Sequence, residues 1–193
     1  MDATSDAALM ARTRQGDAGA FASLVDRYKD PLVNSLTRLA GSKDRAEDLA
    51  QETFLRLYQH ASRYSEQGKL LPFLFQIAIN LLRTEERRRR RWRVLLPFVS
   101  HDATGFDRQR QERDVLRSEV QTQVSAAIAQ LPLSYREPLV LHEIEGLPYD
   151  QIAMICGIPE GTVKSRISRG RERLRSHLAP YWNGVTSCTT TAS

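Results

Sequence analysis

Cysteine is nearly absent from this chain of 193 residues, which has only two. Cys156 and Cys188 stand far apart, with no CxxC or mixed Cys/His spacing around either, so neither a disulfide framework nor a zinc site is indicated. Long apolar runs are missing as well. Leu70–Leu82 is interrupted by Pro72, Gln76 and Asn80, and nothing approaches the roughly 20 apolar residues of a membrane span. The start of the chain, Met1 to Ala8, is small and acidic rather than basic and then apolar, so it is not a secretory signal. Membrane insertion is therefore not expected, and a reducing cytoplasm is the expected location. Histidine is sparse and scattered at 60, 101, 142 and 177, and His142-Glu143 followed by Glu145 lacks HExxH spacing. No acidic cluster suits two-metal phosphoryl chemistry. The expectation is a protein without cofactor or metal that is not an enzyme.

Charge is present, and its placement is informative. Charged residues make up 26% of the chain and the net charge is +5. Between Arg83 and Arg93 stand seven arginines and two glutamates, a local +5 that leaves the remainder neutral. Within that remainder Pro159–Leu178 carries six basic residues against Glu160 and Glu172. A single basic run is often a solvated helix face. Two such islands, each ending a helical segment, point towards a polyanion.

Apolar spacing predicts helices throughout. Phe21, Leu24, Val25 and Tyr28 recur at three- and four-residue steps, as do Leu32, Leu36 and Leu39. Gly16-Asp17 and Gly41-Ser42 bound this stretch. A second helix is expected from about Lys43 to His60, with Asp44, Glu47, Asp48 and Glu52 suited to the positive end of its dipole. In it Leu49, Phe54, Leu55 and Tyr58 are apolar, while Asp48, Gln51, Glu52 and Arg56 are free to stay exposed. After a polar loop, Tyr64 to Lys69, Pro72 is expected to open a third helix that runs into the arginines. From 94 to 114 the pattern weakens into a linker, apolar at first over Val94–Val99. Residues 115–180 are again helical, and the Thr-rich end, 181–193, reads as a disordered tail.

The sharpest local signal lies in Tyr149–Cys156, a turn at Gly157-Ile158, and a long helix from Pro159. Ala153 and Gly157 are four apart; Ile152, Ile158, Val163 and Ile167 supply apolar contacts across a tight turn. Gly157 permits positive φ, and proline is tolerated at a helix start. Val163, Ile167 and Leu174 point inwards, whereas Lys164, Ser165, Arg166, Arg169 and Arg173 fall on other faces. A helix presented in this way can enter the major groove, where Arg and Lys pair with guanine edges. The amides around Glu160, Gly161 and Thr162 can meet a phosphate.

Four motifs in order resemble the extracytoplasmic-function sigma factors of bacteria, members of the sigma-70 family. They are Gly16-Asp17 with Ala20-Phe21; Ala46 to Phe54; Phe73 to Asn80 followed by the arginines; and Leu131 to Glu137 with Gly146 to Tyr149 and Gly161 to Arg166. The resemblance implies an all-α chain with two small helical domains joined by a flexible linker. Sigma region 2 would occupy 8–93, the linker 94–114, and the region 4 helix-turn-helix 115–180. It implies that Asp48, Gln51, Glu52 and Phe54 contact core RNA polymerase. Tyr64, Ser65 and Asn80 would capture melted −10 DNA, with Arg83, Arg87 and Arg88 on the surrounding phosphates. Thr162, Lys164, Ser165, Arg166, Arg169 and Arg173 would read the −35 duplex, of which Lys164, Ser165 and Arg169 match the family's base-facing positions. The implied partners are core polymerase, promoter DNA and an anti-sigma factor. Phe73 stands where the family commonly has Trp, and Gln76 where it commonly has Arg. Two other readings stay open on the residues alone: an operator-binding regulator and a small nucleic-acid enzyme. Requirement for core polymerase separates the first of these from a sigma factor.

Overall fold

The computed structural model describes residues 5–61, 64, 70–95 and 115–185, with the backbone alone at 93–95, 115–120 and 180–185. Eight helices and no strand are found among the described residues. The first half contains α1 (Asp6–Arg14), α2 (Ala18–Ala40), α3 (Lys43–Gln59) and α4 (Leu70–Leu95). The second contains α5 (Val115–Gln130), α6 (Leu133–Glu143), α7 (Tyr149–Cys156) and α8 (Glu160–Val185).

Local chemistry sets the breaks. Ser5 caps α1 by accepting from the Ala8 amide at 3.2 Å, and Asp17 caps α2 by accepting from Ala20 at 3.0 Å. That amide, followed by the hydrogen bond from Arg12, holds the Asp17 carboxyl below its ordinary pKa. Gly41 ends α2 at φ 73°, a left-handed conformation that an L side chain avoids. Pro72 falls in the first turn of α4 rather than opening it, because Leu70 and Leu71 already precede it in the helix. Proline is harmless there, where its missing N–H has no helical acceptor.

In the first half α2 packs on α3 and α1, and α3 on α4. Leu24, Leu32, Leu36 and Leu39 of α2 meet Leu49 and Leu57 of α3 and Leu74, Phe75, Ile79 and Leu82 of α4 in the core. The buried hydroxyls of Thr13 and Thr53 donate to the carbonyls of Leu9 and Leu49, four residues back, so neither is left unsatisfied. In the second half α8 lies on α5, α6 and α7, with Ile128, Leu139, Val140, Ile152, Val163 and Ile167 inside.

The halves also touch. α4 packs on α7, and α2 packs on α5 and α6. Hydrogen bonds cross the contact: Arg83 of α4 grips Glu137 of α6, Arg136 of α6 donates to the Leu39 carbonyl of α2, and Ser35 of α2 donates to Glu145. The linker expected at 94–114 is helical at its start, since α4 reaches Leu95, and residues 96–114 lie outside the described residues. α8 likewise runs into the expected tail, to Val185; residues 186–193 lie outside the described residues.

Candidate nucleic-acid interface

The short helix α7 turns into the long helix α8 at Gly157, which stands at φ 64°, ψ 41°. Its amide and that of Ile158 both turn back to the Ala153 carbonyl, the latter at 3.1 Å. Val163 and Ile167, both buried, anchor the start of α8 against this turn. At about 100° per residue, Ser165 and Arg169 then project opposite the anchors. Lys164 lies on one flank, and Arg166 and Arg173 on the other. Lys164, Ser165, Arg169 and Arg173 are exposed, while Thr162 and Arg166 are half-buried.

The cations of α8 are not equivalent. Arg171 is bound to Glu143 at 2.5 Å, and the Arg173 guanidinium sits over the Tyr135 ring, 5.1 Å from its centroid. Lys164 and Arg169 have no ion-pair partner among the described residues, so they are available to an incoming anion or guanine edge. Thr162 differs from expectation: its amide already donates to the Pro159 carbonyl at 2.9 Å and is not free for a phosphate. The Ser165 hydroxyl donates to the Thr162 carbonyl at 3.0 Å.

On α4, Asn80, Thr84 and Arg87 form one exposed stripe at spacings of four and three. The Thr84 hydroxyl donates to the Asn80 carbonyl at 2.8 Å, leaving the Asn80 side chain to solvent. Arg87 and Arg88 are exposed beside it. Glu85 and Glu86 point away, to Arg45 of α3 at 3.1 and 2.8 Å. Burial opposes the charge on Arg45, but the hydrogen bonds to Glu86 and Glu85 outweigh it and raise its pKa. Glu85 also pairs with Arg89 of the run at 3.1 Å, so these glutamates are engaged by Arg45 and Arg89 rather than by Arg87 or Arg88.

Two residues expected at the melted strand are placed elsewhere. Tyr64 is 7% exposed, its ring set edge-on to Phe73 at 5.3 Å, and its carbonyl accepts from Arg14 at 2.5 Å. Arg83 spends its guanidinium on Glu137, at 2.8 and 2.5 Å, and on the Cys156 carbonyl at 3.0 Å, because α4 faces the second half at this position. The hydrogen bond that Arg83 donates to Glu137, working against burial, raises the Arg83 pKa. Ser65 lies outside the described residues.

A third surface lies on α3. Asp48 and Gln51 are exposed, and Glu52 is half-exposed and paired with Arg56 at 2.8 Å. Phe54, expected on this face, is 6% exposed and belongs to the core. Its neighbour Leu55 is 49% exposed and continues the stripe of Asp48 and Gln51, seven and four residues on. That spacing is visible in the sequence, but an apolar side chain beside Phe54 reads more naturally as core. Behind α8, an apolar cleft of about 730 Å³ opens between α5, α6 and α8, with Val124, Ile128, Ile144 and Leu178 in its wall.

Residues 24–93 match sigma-70 region 2, and residues 121–174 match sigma-70 region 4. The chain is similar to the RNA polymerase sigma-H factor of Pseudomonas aeruginosa, 34% identical over 182 residues, covering 91% of this chain and 94% of that one. It is similar also to the ECF RNA polymerase sigma factor SigW of Bacillus subtilis, 34% identical over 174 residues, covering 86% and 93%. Among solved structures it resembles the sigma factor RpoE of Bartonella quintana, in complex with the anti-sigma factor NepR. There the TM-score is 0.69 at 27% identity, covering 82% of this chain and 96% of that one. With both regions present in order, and this similarity running along most of its length, the chain belongs to the extracytoplasmic-function sigma factors of the sigma-70 family.

Proposed function

We propose that this chain binds core RNA polymerase and directs it to promoters whose −35 duplex is read by α8 and whose melted −10 strand is read beside Asn80. The observation that carries this is the pairing of two unlike surfaces in one chain. One is a groove-sized helix with unpaired Lys164 and Arg169 facing solvent. The other is an exposed amide, Asn80, flanked by Arg87 and Arg88. Bidentate contacts from Arg or Lys specify guanine in a duplex major groove, whereas an amide beside cations suits an unpaired base with its phosphates.

Asp48, Gln51 and Glu52 are the proposed polar contact to core polymerase, with Leu55 adding apolar area. The chain acts by binding rather than catalysis, in the cytoplasm, where DNA and polymerase are. No described helix is long and apolar enough to cross a membrane. An anti-sigma factor is proposed as a regulatory partner, by similarity to RpoE in its complex with NepR.

Core polymerase plus the purified chain is expected to initiate from promoters selected out of a random library, and core alone is not. A chain that fails to bind core at low salt, yet binds a DNA duplex specifically, would be an operator-binding regulator instead.

A further inference from the structure

Arg14 is the last residue of α1, and its guanidinium reaches carbonyls 47 and 50 residues further along the chain. Its Nε donates to Ala61 at 3.0 Å and its Nη2 to Tyr64 at 2.5 Å. Both carbonyls lie just beyond Gln59, where α3 ends and the negative end of its dipole favours a cation. The Tyr64 amide donates to the same Ala61 carbonyl at 3.3 Å, so a side chain and a turn converge on one oxygen.

This tie has a fixed base. Leu9 and Met10 of α1 are buried in the core, and Asp6 pairs with Arg27 of α2 at 2.6 Å and accepts from the Tyr28 hydroxyl. Arg14 itself is exposed and fills no part of that core. What it orders is the boundary between the end of α3 and the start of α4.

That boundary meets the proposed strand-reading face. Phe73, Gln76 and Asn80 recur on α4 at steps of three and four, and Gln76 and Asn80 are exposed. The Tyr64 ring lies edge-on to Phe73 at 5.3 Å, at the start of this stripe. Asn80 stands about 10 Å further along the helix. Direct contacts therefore run from Arg14 through the Tyr64 carbonyl and ring to Phe73, on the helix face that carries Asn80. Reading a base edge by hydrogen bonds demands placement within about 0.5 Å. Order present before the strand arrives also spares binding the entropy cost of creating it.

We infer that Arg14 is a positioning residue for the melted −10 strand: it touches no DNA, and by fixing Ala61 and Tyr64 it preforms the face of α4 that bears Asn80. The inference rests on the proposed promoter-reading function.

Holoenzymes carrying wild type, Arg14→Gln, Arg14→Lys or Arg12→Gln test it on two probes from a promoter selected out of a random library. One is the single-stranded −10 oligonucleotide, matched or substituted base by base; the other is the −35 duplex. Arg14→Gln is expected to lower the ratio of matched to substituted −10 binding by about fivefold or more, as misplacing one base-edge hydrogen bond does, with −35 affinity and core binding unchanged. Arg14→Lys keeps the charge but not the fork, and should fall between. Arg12→Gln removes an equal charge from the same helix, where Arg12 pairs with Asp17 at 2.7 Å, and should match wild type. A purely structural tie would lower the melting temperature of Arg14→Gln and leave its −10 base preference as in wild type, a result that overturns the inference. Equal losses on both probes, or the same loss from Arg12→Gln, overturn it too, since they report fold or charge rather than placement. Should Arg14→Gln not fold, Arg14→Lys decides by the same ratio. A wild-type holoenzyme without any −10 base preference overturns the promoter-reading function itself, and the inference with it.

Discussion

The amide of Ile158 donates to the carbonyl of Ala153 at 3.1 Å, five residues back, because Gly157 between them turns left-handed. This one reversal lets α8 leave α7 with Val163 and Ile167 tucked inside and Ser165 and Arg169 outside. A Cβ added at Gly157 would meet nothing within 4 Å, so the position is constrained by backbone conformation alone. Gly157→Ala is therefore expected to cost about 1 kcal/mol, the penalty for an L residue at positive φ. Gly157→Asn should cost less, and thermal unfolding of the two variants checks the order.

The unequal cations of α8 predict unequal effects on DNA. Lys164→Ala and Arg169→Ala are each expected to weaken discrimination at one −35 base pair by about 1–3 kcal/mol. Arg171→Ala removes only an exposed pair with Glu143, worth at most about 1 kcal/mol of stability, and should leave base preference intact. Binding to a panel of single-substituted −35 duplexes separates the two classes. A uniform loss across all sequences, with a shallower salt dependence, would reassign Lys164 or Arg169 to the phosphates.

Asn80 is exposed on the same stripe as Arg87, away from the recognition helix. Asn80→Ala should leave −35 duplex binding unchanged and slow or reduce formation of the open complex, measured by permanganate reactivity of unpaired thymines. Arg87→Ala and Arg88→Ala should weaken single-strand binding with little dependence on sequence, as phosphate contacts do.

Neighbours on α3 should behave oppositely. Phe54→Ala empties a core site and is expected to destabilise the fold by about 3–5 kcal/mol. Leu55→Ala, at a half-exposed position, should shift stability by no more than about 0.5 kcal/mol but weaken the complex with core polymerase. Denaturant unfolding and a polymerase pull-down on the same two proteins test the pair.

Burial pushes the Cys156 thiol up to about 12 from an ordinary 9.0, with the negative charge of Glu137 adding to the effect. Between those values the unfolded chain has lost the thiol proton and the folded chain retains it, so folding stability falls as pH rises above about 9. Below that pH both states are protonated and the group contributes no slope. In a Cys188→Ser background at pH 8, reaction of Cys156 with a thiol reagent should follow unfolding rather than the intrinsic thiol rate.

The helices were legible because their signals are local. Asp17 and Gly41 cap and stop α2, and the spacing of Leu24, Leu32, Leu36 and Leu39 is that of one helix face. The turn at Gly157 and the inward set of Val163 and Ile167 likewise depend on residues within ten positions of each other. Phe54 and Leu55 show where this stops, since periodicity places two adjacent apolar residues on one helix but does not say which of them a partner helix covers.

The sequence by itself determined helical periodicity in both halves, the recognition turn, and two basic islands on an otherwise neutral chain. The tertiary structure alone decided which of those charges are free. Arg83 and Arg87 are identical in the sequence and four residues apart, yet one faces Glu137 across the interface and the other faces solvent. The physical reason is that a charge's availability depends on what the fold brings within 3 Å of it, and Glu137 lies 54 residues away along the chain.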